Sequence, residues 1–387
     1  MSAVAIKGWC PGALRPMLSG DGLVVRVRPF GGRLDAGQAA GLADLAERYG
    51  NGLIDLTSRA NLQIRGVSRD GHLPLLDGLT LLGLLDPDSE TESRRNILVT
   101  PFWRAGDDTC SLAIELERAL ADSSLDLPTK FGFAVDDGKE RVLTTASADV
   151  RIERDPAGGL IVRADGAEFG GSVTRTEVVD VVLALAEWFV TSGGAKGGRG
   201  RMAAHLRAGA RLPEALRGQA RPTAVTVAPL PGLYPQGTLV GATFGQLPHS
   251  ALRHLAGCGQ ALRVTPWRMM LVEGLHEMPR CEDVITQADD PTLRVIACSG
   301  APRCREAHAD TRALAAAVAP YIAAGARLHV SGCAKGCAHS GPASITLVAT
   351  SEGFDLVRDG STRDTPIRRG LRGASIVKDP SIVAGAR

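Results

Sequence analysis

A segment of the first half of this chain recurs in its second half, and that constrains the fold more than any other feature. Thr57-Ser58-Arg59-Ala60-Asn61-Leu62-Gln63-Ile64-Arg65-Gly66 lies over Thr265-Pro266-Trp267-Arg268-Met269-Met270-Leu271-Val272-Glu273-Gly274, and Gly32-Arg33-Leu34 lies over Gly245-Gln246-Leu247. Few residues are identical, so the order of elements carries the case. Each copy reads as an alternating strand (23–28; 239–244), a Gly turn and an amphipathic helix (35–49; 250–256). Two short strands follow, around the Thr-to-Gly segment. After each copy comes a second unit of strand, helix and strands. In the first half its elements lie at 96–99, 111–121, 131–135 and 150–153; in the second half they lie at 294–297, 307–324, 327–330 and 344–349. A long-period repeat of this kind predicts an α+β fold made of two related halves. The expected units are residues 1–92, 93–210, 232–290 and 291–387, with a Gly/Pro/Arg-rich linker over 211–231.

Half of the cysteines fall within forty residues. They read Cys298-x5-Cys304, then Cys333-x3-Cys337-Ala338-His339. Each pair follows an expected strand, so two distant pairs can meet at one sheet edge. Gly300, Gly332 and Gly336 let loop backbone wrap closely around a bulky inorganic core. Four thiolates on such loops suit a 4Fe-4S cluster. Structural zinc favours two to four intervening residues, which the x3 pair fits and the x5 pair fits poorly. Buried free thiols are the blandest reading. Cys10, Cys110, Cys258 and Cys281 are isolated and read as packing residues, with Cys10 in a turn.

The net charge of +2 offers no field for nucleic acid or an anionic membrane. Residues 178–190 are apolar but carry Asp180 and Glu187, which predicts a core helix and not a membrane span. Residues 1–22 lack the pattern of a secretory leader, so the thiols are expected reduced and the protein cytoplasmic. Gly193-Gly194-Ala195-Lys196-Gly197-Gly198 lacks the order of a phosphate loop, and no dinucleotide fingerprint is present. Electrons would come from a separate donor, or from reduced nicotinamide without a dedicated domain.

The duplication and the cysteine spacing resemble those of the siroheme-containing nitrite and sulfite reductase family. The likeness runs from about Gly20 to Asp359. It implies two ferredoxin-like repeats, two α/β units and a 4Fe-4S cluster on Cys298, Cys304, Cys333 and Cys337. Cys10-Pro11-Gly12, Asp21-Gly22, Tyr49-Gly50-Asn51-Gly52-Leu53-Ile54-Asp55-Leu56-Thr57, Arg59-Ala60-Asn61-Leu62-Gln63 and Ser331-Gly332-Cys333-Ala334-Lys335-Gly336-Cys337-Ala338-His339 look most like a branch that takes the tetrapyrrole as substrate. For that branch the resemblance implies oxygen-dependent hydroxylation of precorrin-3A, with lactone formation, in cobalamin biosynthesis. It also implies a mononuclear non-heme iron, with molecular oxygen and an electron donor (NADH or a reductase) as partners.

By the same resemblance Arg59, Arg95 and Lys130 match anion-contacting positions of the family, where catalysis occurs. Arg199 and Arg201 match a basic loop. Asn61 and Gln63 share a strand face with Arg59 by the period of two and are candidate substrate contacts. Arginine suits a rim of carboxylates because its fork binds them in pairs. Solvated ion pairs are the alternative for all of these. His339 is a candidate metal or proton-transfer group. Gly132 stands where the reductases carry a second lysine, which tells against the alternative of a siroheme-dependent sulfite or nitrite reductase. In that alternative Cys337 would bridge cluster and siroheme. A cluster-bearing electron-transfer subunit is the non-catalytic alternative.

Overall fold

The computed structural model describes residues 11–384, so Cys10 and its turn lie outside the described residues. Four sheets organise them. The first runs Met17–Ser19, Gly22–Val27, Leu62–Val67, Leu53–Leu56, Gln246–Pro248; the third runs Gly232–Tyr234, Gly237–Ala242, Met269–Glu273, Ala261–Val264, Arg33–Asp35. Each of these sheets ends on a strand borrowed from the other half. Leu34 pairs with Leu262, and Leu247 pairs with Ile54. The two borrowed strands follow equivalent 3-10 turns, Phe30–Gly32 and Thr243–Gly245. The aligned Gly-x-Leu segments are these strands.

Alternation of apolar residues gives each repeat one face for its helix. Ala36–Tyr49 starts at a capping box in which Asp35 accepts from the Gln38 amide, and it buries Ala39, Leu42, Ala43 and Ala46. Its partner His249–Cys258 buries Ala251, Leu252, Leu255 and Ala256. Both helices pack into one core with Val25, Ile54, Ile64, Val240 and Leu262 from the two sheets. Fully burying each leucine contributes about 1.5–3 kcal/mol. The repeats therefore share a core as well as strands.

The other two sheets repeat one topology. Ile97–Val99, Phe133–Val135 and Val150–Arg154 are parallel neighbours, as are Val295–Ala297, Leu328–Ser331 and Ala343–Thr350. The next strand of each returns antiparallel. Helices Asp108–Asp122 and Val178–Thr191 cover the first of these sheets, and the latter is the expected core helix. Thr311–Val318 covers the second.

One expected helix is shorter than the sequence suggested. Residues 307–310 belong to the cysteine loop, where the Ala307 amide donates to the Cys304 carbonyl. Asp310 caps the helix at Thr311 by accepting from the Arg312 and Ala313 amides. Pro320 turns the far end into a 3-10 turn, Ala319–Tyr321.

Candidate functional site

Val295–Ala297 and Leu328–Ser331 are adjacent parallel strands, so their following loops leave the same end of the sheet. Cys298 opens the first loop and Cys333 the second. The Gly332 amide donates to Cys298 Sγ at 3.1 Å, and the His308 amide donates to the Gly332 carbonyl at 2.9 Å. A Cβ on Gly332 would sit 2.7 Å from that of Ala307, so the loops can approach only through glycine. The Thr311 hydroxyl donates to the Cys298 carbonyl and the Ser331 hydroxyl to the Cys333 carbonyl, each at 2.7 Å.

Burial raises the Cys333 thiol pKa; the Lys335 amide opposes this, and Cys304 and Cys298 raise it again. Desolvation raises Cys337, and Cys333, Cys298 and Cys304 add to the effect. Cys337 is exposed as a residue, yet its sulfur lies within electrostatic range of the other three. Among the described residues no three His, Cys, Asp or Glu are gathered as one small ion would need. The four thiols are instead spread over two laced loops. An amide already donates to one of these sulfurs, Cys298 Sγ.

Beside these loops lies a cavity of 330 Å³, within the size range of small-molecule sites. Both halves of the chain wall it: Ser58 and Thr145 to Ser147 from the first, Pro266, Trp267 and the last cysteine with its followers, Cys337 to Ser340, from the second. Ser58 and Pro266 occupy equivalent turns of the duplication. In each turn the fourth residue is left-handed, Ala60 with φ 51° and Arg268 with φ 61°.

Cationic groups meet at one wall. Arg59 donates to Ser147 Oγ at 3.3 Å and to the Lys130 carbonyl at 3.2 Å, and Arg201 donates to the same Ser147 Oγ at 2.8 Å. Arg201 is held by buried Asp149 at 2.9 Å. Burial pushes the Asp149 carboxyl up and Arg201 pulls it back. Lys130 is exposed. Arg59 and Arg201 are thus brought together at Ser147, with the Lys130 main chain against Arg59, although far apart in sequence.

A polar row crosses the first sheet beside them: Arg26, Gln63, Asp55 and Gln246 are successive cross-strand partners. The Gln63 amide, oriented to suit its neighbour, accepts from Arg26 at 3.0 Å. Arg65 and Arg312 flank Asp55 at 3.7 and 3.5 Å. Arg312 Nε and Nη1 are buried without a hydrogen-bond partner among the described residues. Asn61 is buried at the base of the Arg59 turn, where its carbonyl accepts from the Thr57 amide. Arg199 is exposed on its loop, where its main chain bridges to Lys196.

Sequence reasoning missed three groups. Trp267 walls the cavity; the repeat alignment already set it opposite Arg59. Arg268 Nη2 donates to the Ala338 carbonyl at 2.9 Å and ties this turn to the cysteine loop. His329 is fully buried beside His339, ring centroids 5.6 Å apart, with neither ring nitrogen hydrogen-bonded among the described residues. Burial, His339 and Arg268 lower its pKa to about 4. Its place on an apolar strand gave no sign of this.

Residues 15–82 match the nitrite/sulfite reductase ferredoxin-like half domain. Among solved structures, the NirA protein of Mycobacterium tuberculosis superposes with a TM-score of 0.66 over 94% of this chain and 81% of its own, at 18% identity. The chain has the architecture of the nitrite/sulfite reductases. Along its sequence it is similar to precorrin-3B synthase of Sinorhizobium sp, 28% identical over 93% of this chain and 84% of that one. Ferredoxin–nitrite reductase of Synechococcus elongatus is 32% identical, over 33% of this chain and 27% of its own.

Within the reductase architecture Arg95 departs from expectation, and Gly132 shows why a side chain is disfavoured there. Arg95 is not at the cavity wall. It is 4% exposed, clamped by Asp86 at 2.7 Å and Glu117 at 3.4 Å, donates to the Arg28 carbonyl and lies over the Phe30 ring. Its fork is saturated by this buried network, so it acts there as a structural ion pair. Gly132 has little room for a side chain. A Cβ would lie 3.1 Å from the Asn96 carbonyl oxygen and 3.4 Å from that of Ser147.

Proposed function

We propose that this chain is a precorrin-3B synthase. The observation that carries the reading is the extent of likeness: similarity to a precorrin-3B synthase spans 93% of the chain, whereas similarity to nitrite reductases spans a third. The chain would be a cytoplasmic oxidoreductase acting as a monooxygenase. With precorrin-3A, molecular oxygen and two electrons from NADH or a reductase, one oxygen atom enters the macrocycle and the other leaves as water. A ring carboxylate then closes the lactone.

Cys298, Cys304, Cys333 and Cys337 would hold a 4Fe-4S cluster, which supplies electrons one at a time. The chain's own residues do the rest. Arg59 and Arg201 converge on Ser147; the Arg59 guanidinium would meet carboxylates of the substrate, while Arg201, which donates to Asp149, Ser147 and Ala148, braces that wall. Asp149 keeps Arg201 oriented from behind. Lys130, exposed beside Arg59, would add a further positive charge. Walls contributed by both halves keep bulk water from the reacting face. For the mononuclear iron that the family resemblance implies, the described residues gather no ligand set, and no step is assigned to it.

Anaerobic purification, followed by the absorption spectrum and iron, sulfide and tetrapyrrole content, tests this. The expected result is a broad cluster band with acid-labile sulfide and no siroheme. Added precorrin-3A should then be converted to a hydroxylated lactone carrying an atom of labelled oxygen. Bound siroheme with turnover of sulfite or nitrite would overturn the reading. The confined Gly132 site, where a second lysine would stand, weighs against that outcome.

A further inference from the structure

The duplication sets unlike chemistry at like positions around one cavity. The first-half turn offers Arg59; its equivalent in the second half is Trp267. The contrast extends into the sheets behind them. Across the first sheet the cross-strand row reads Arg26, Gln63, Asp55, Gln246. The equivalent row across the other sheet reads Leu239, Leu271, Arg263, Arg33. Both of those arginines are engaged by Glu273, at 3.0 and 2.8 Å. Leu239 and Leu271, with Met269, form a small apolar cluster on which Trp267 and Phe102 rest.

Trp267 is also held in orientation. Phe102 stacks on it, ring centroids 6.5 Å apart and planes 24° apart, and Tyr234 backs Phe102 at 4.9 Å. Arg268, the next residue, is fixed in a left-handed conformation and bonded to Ala338. An indole that lines a cavity, with a near-parallel ring at its flank, can offer aromatic surface to whatever enters. Cys337 walls the same cavity.

We propose that Trp267 is the stacking platform of the tetrapyrrole site and sets the orientation of the macrocycle. This rests on the functional reading above. The flat conjugated face lies on the indole, and rim carboxylates point toward Arg59 on the first-half wall. One half of the chain reads charge and the other reads the ring plane. A ligand with carboxylates but no extended ring, such as citrate, gains only the first contact.

The test uses the full chain and the metal-free macrocycle sirohydrochlorin as probe. Affinity is read by titration, and orientation by the circular dichroism induced in the macrocycle's own absorption band. Trp267→Ala should weaken binding about tenfold, given the size of aromatic contacts, and should abolish the induced dichroism. Trp267→Phe keeps a ring and should stay within about threefold. Trp267→Leu keeps apolar bulk without a ring face and serves if the alanine variant folds poorly; it should lose the induced dichroism as alanine does. If the leucine or alanine variant binds with unchanged affinity and dichroism while the wild-type protein binds well, the platform is refuted and the functional reading stands. If the wild-type protein binds no tetrapyrrole, the functional reading fails and this inference fails with it.

Discussion

Arg268 reaches across from the second repeat and donates a 2.9 Å hydrogen bond to the carbonyl of Ala338, the residue after the last cysteine of the motif. The bond is partly buried, and desolvation lowers the Arg268 pKa, so this guanidinium sits where charge is costly. Its backbone is left-handed as well. A residue in such a position links the Trp267 wall of the cavity to the thiol loops. Arg268→Gly keeps the backbone comfortable and removes only the side chain. A hydrogen bond from a charged group contributes about 1.5–3 kcal/mol, so thermal unfolding should begin at lower temperature. Iron and sulfide should be lost faster in air. Unchanged melting and unchanged iron retention would show that the bond does not hold the loop.

The thiols divide into two groups. Cys333→Ser should yield protein with little bound iron or sulfide and no cluster absorption, because three thiolates and a hydroxyl hold the core poorly. Cys258→Ser and Cys281→Ser should keep full content, since both side chains pack against the repeat core and the Cys258 thiol donates to the His254 carbonyl. Iron and sulfide assays on anaerobically purified protein check both. A fully coloured Cys333→Ser protein would remove Cys333 from the ligand set.

Arg95 and Arg59 should separate stability from binding. Arg95→Ala leaves Asp86 and Glu117 buried and unpaired, and breaking such a network costs about 3–5 kcal/mol. Soluble yield and melting temperature should fall sharply. Arg59→Ala removes a half-buried group and should leave melting nearly unchanged. It should weaken binding of a carboxylated tetrapyrrole about tenfold, as loss of a charged hydrogen bond does. Urea unfolding and ligand titration on the two variants would expose a reversed pattern.

Asp136 should make stability pH-dependent. Burial raises its pKa to about 6, against an ordinary 3.8, while the Leu143 and Val142 amides pull it down. The fold therefore holds a proton that the unfolded chain releases earlier. Its contribution is complete below 3.8 and is lost as pH rises through about 6. The shift corresponds to something on the order of 2–3 kcal/mol. Asp136→Asn keeps a carbonyl for the Leu143 amide and carries no titrating proton. Its stability should change less than that of the wild type between pH 4 and pH 7. Denaturant midpoints across that range measure the difference, and parallel curves would exclude Asp136 as the source.

Much of the local structure was legible in the sequence alone. Period-two alternation and capping residues such as Asp35 specify strands and helices through contacts within a few residues, which a linear pattern records. The repeat alignment put Gly32-Arg33-Leu34 over Gly245-Gln246-Leu247, and both segments are the equivalent short strands. Cysteine spacing after two strands put the thiols at one sheet end, because parallel neighbours bring their following loops together. The tertiary structure alone decided which partners those elements meet. Leu34 lies against Leu262 and Leu247 against Ile54, an exchange between halves that no local signal encodes. It alone decided that Arg95 turns into a buried ion pair while Arg59 and Arg201 share Ser147. A guanidinium goes wherever carboxylates satisfy its fork, and residues that meet only through folding set where those carboxylates are. The apolar wall around Trp267 follows the same logic: the sequence placed it opposite Arg59, and packing against Phe102 turned that position into a surface.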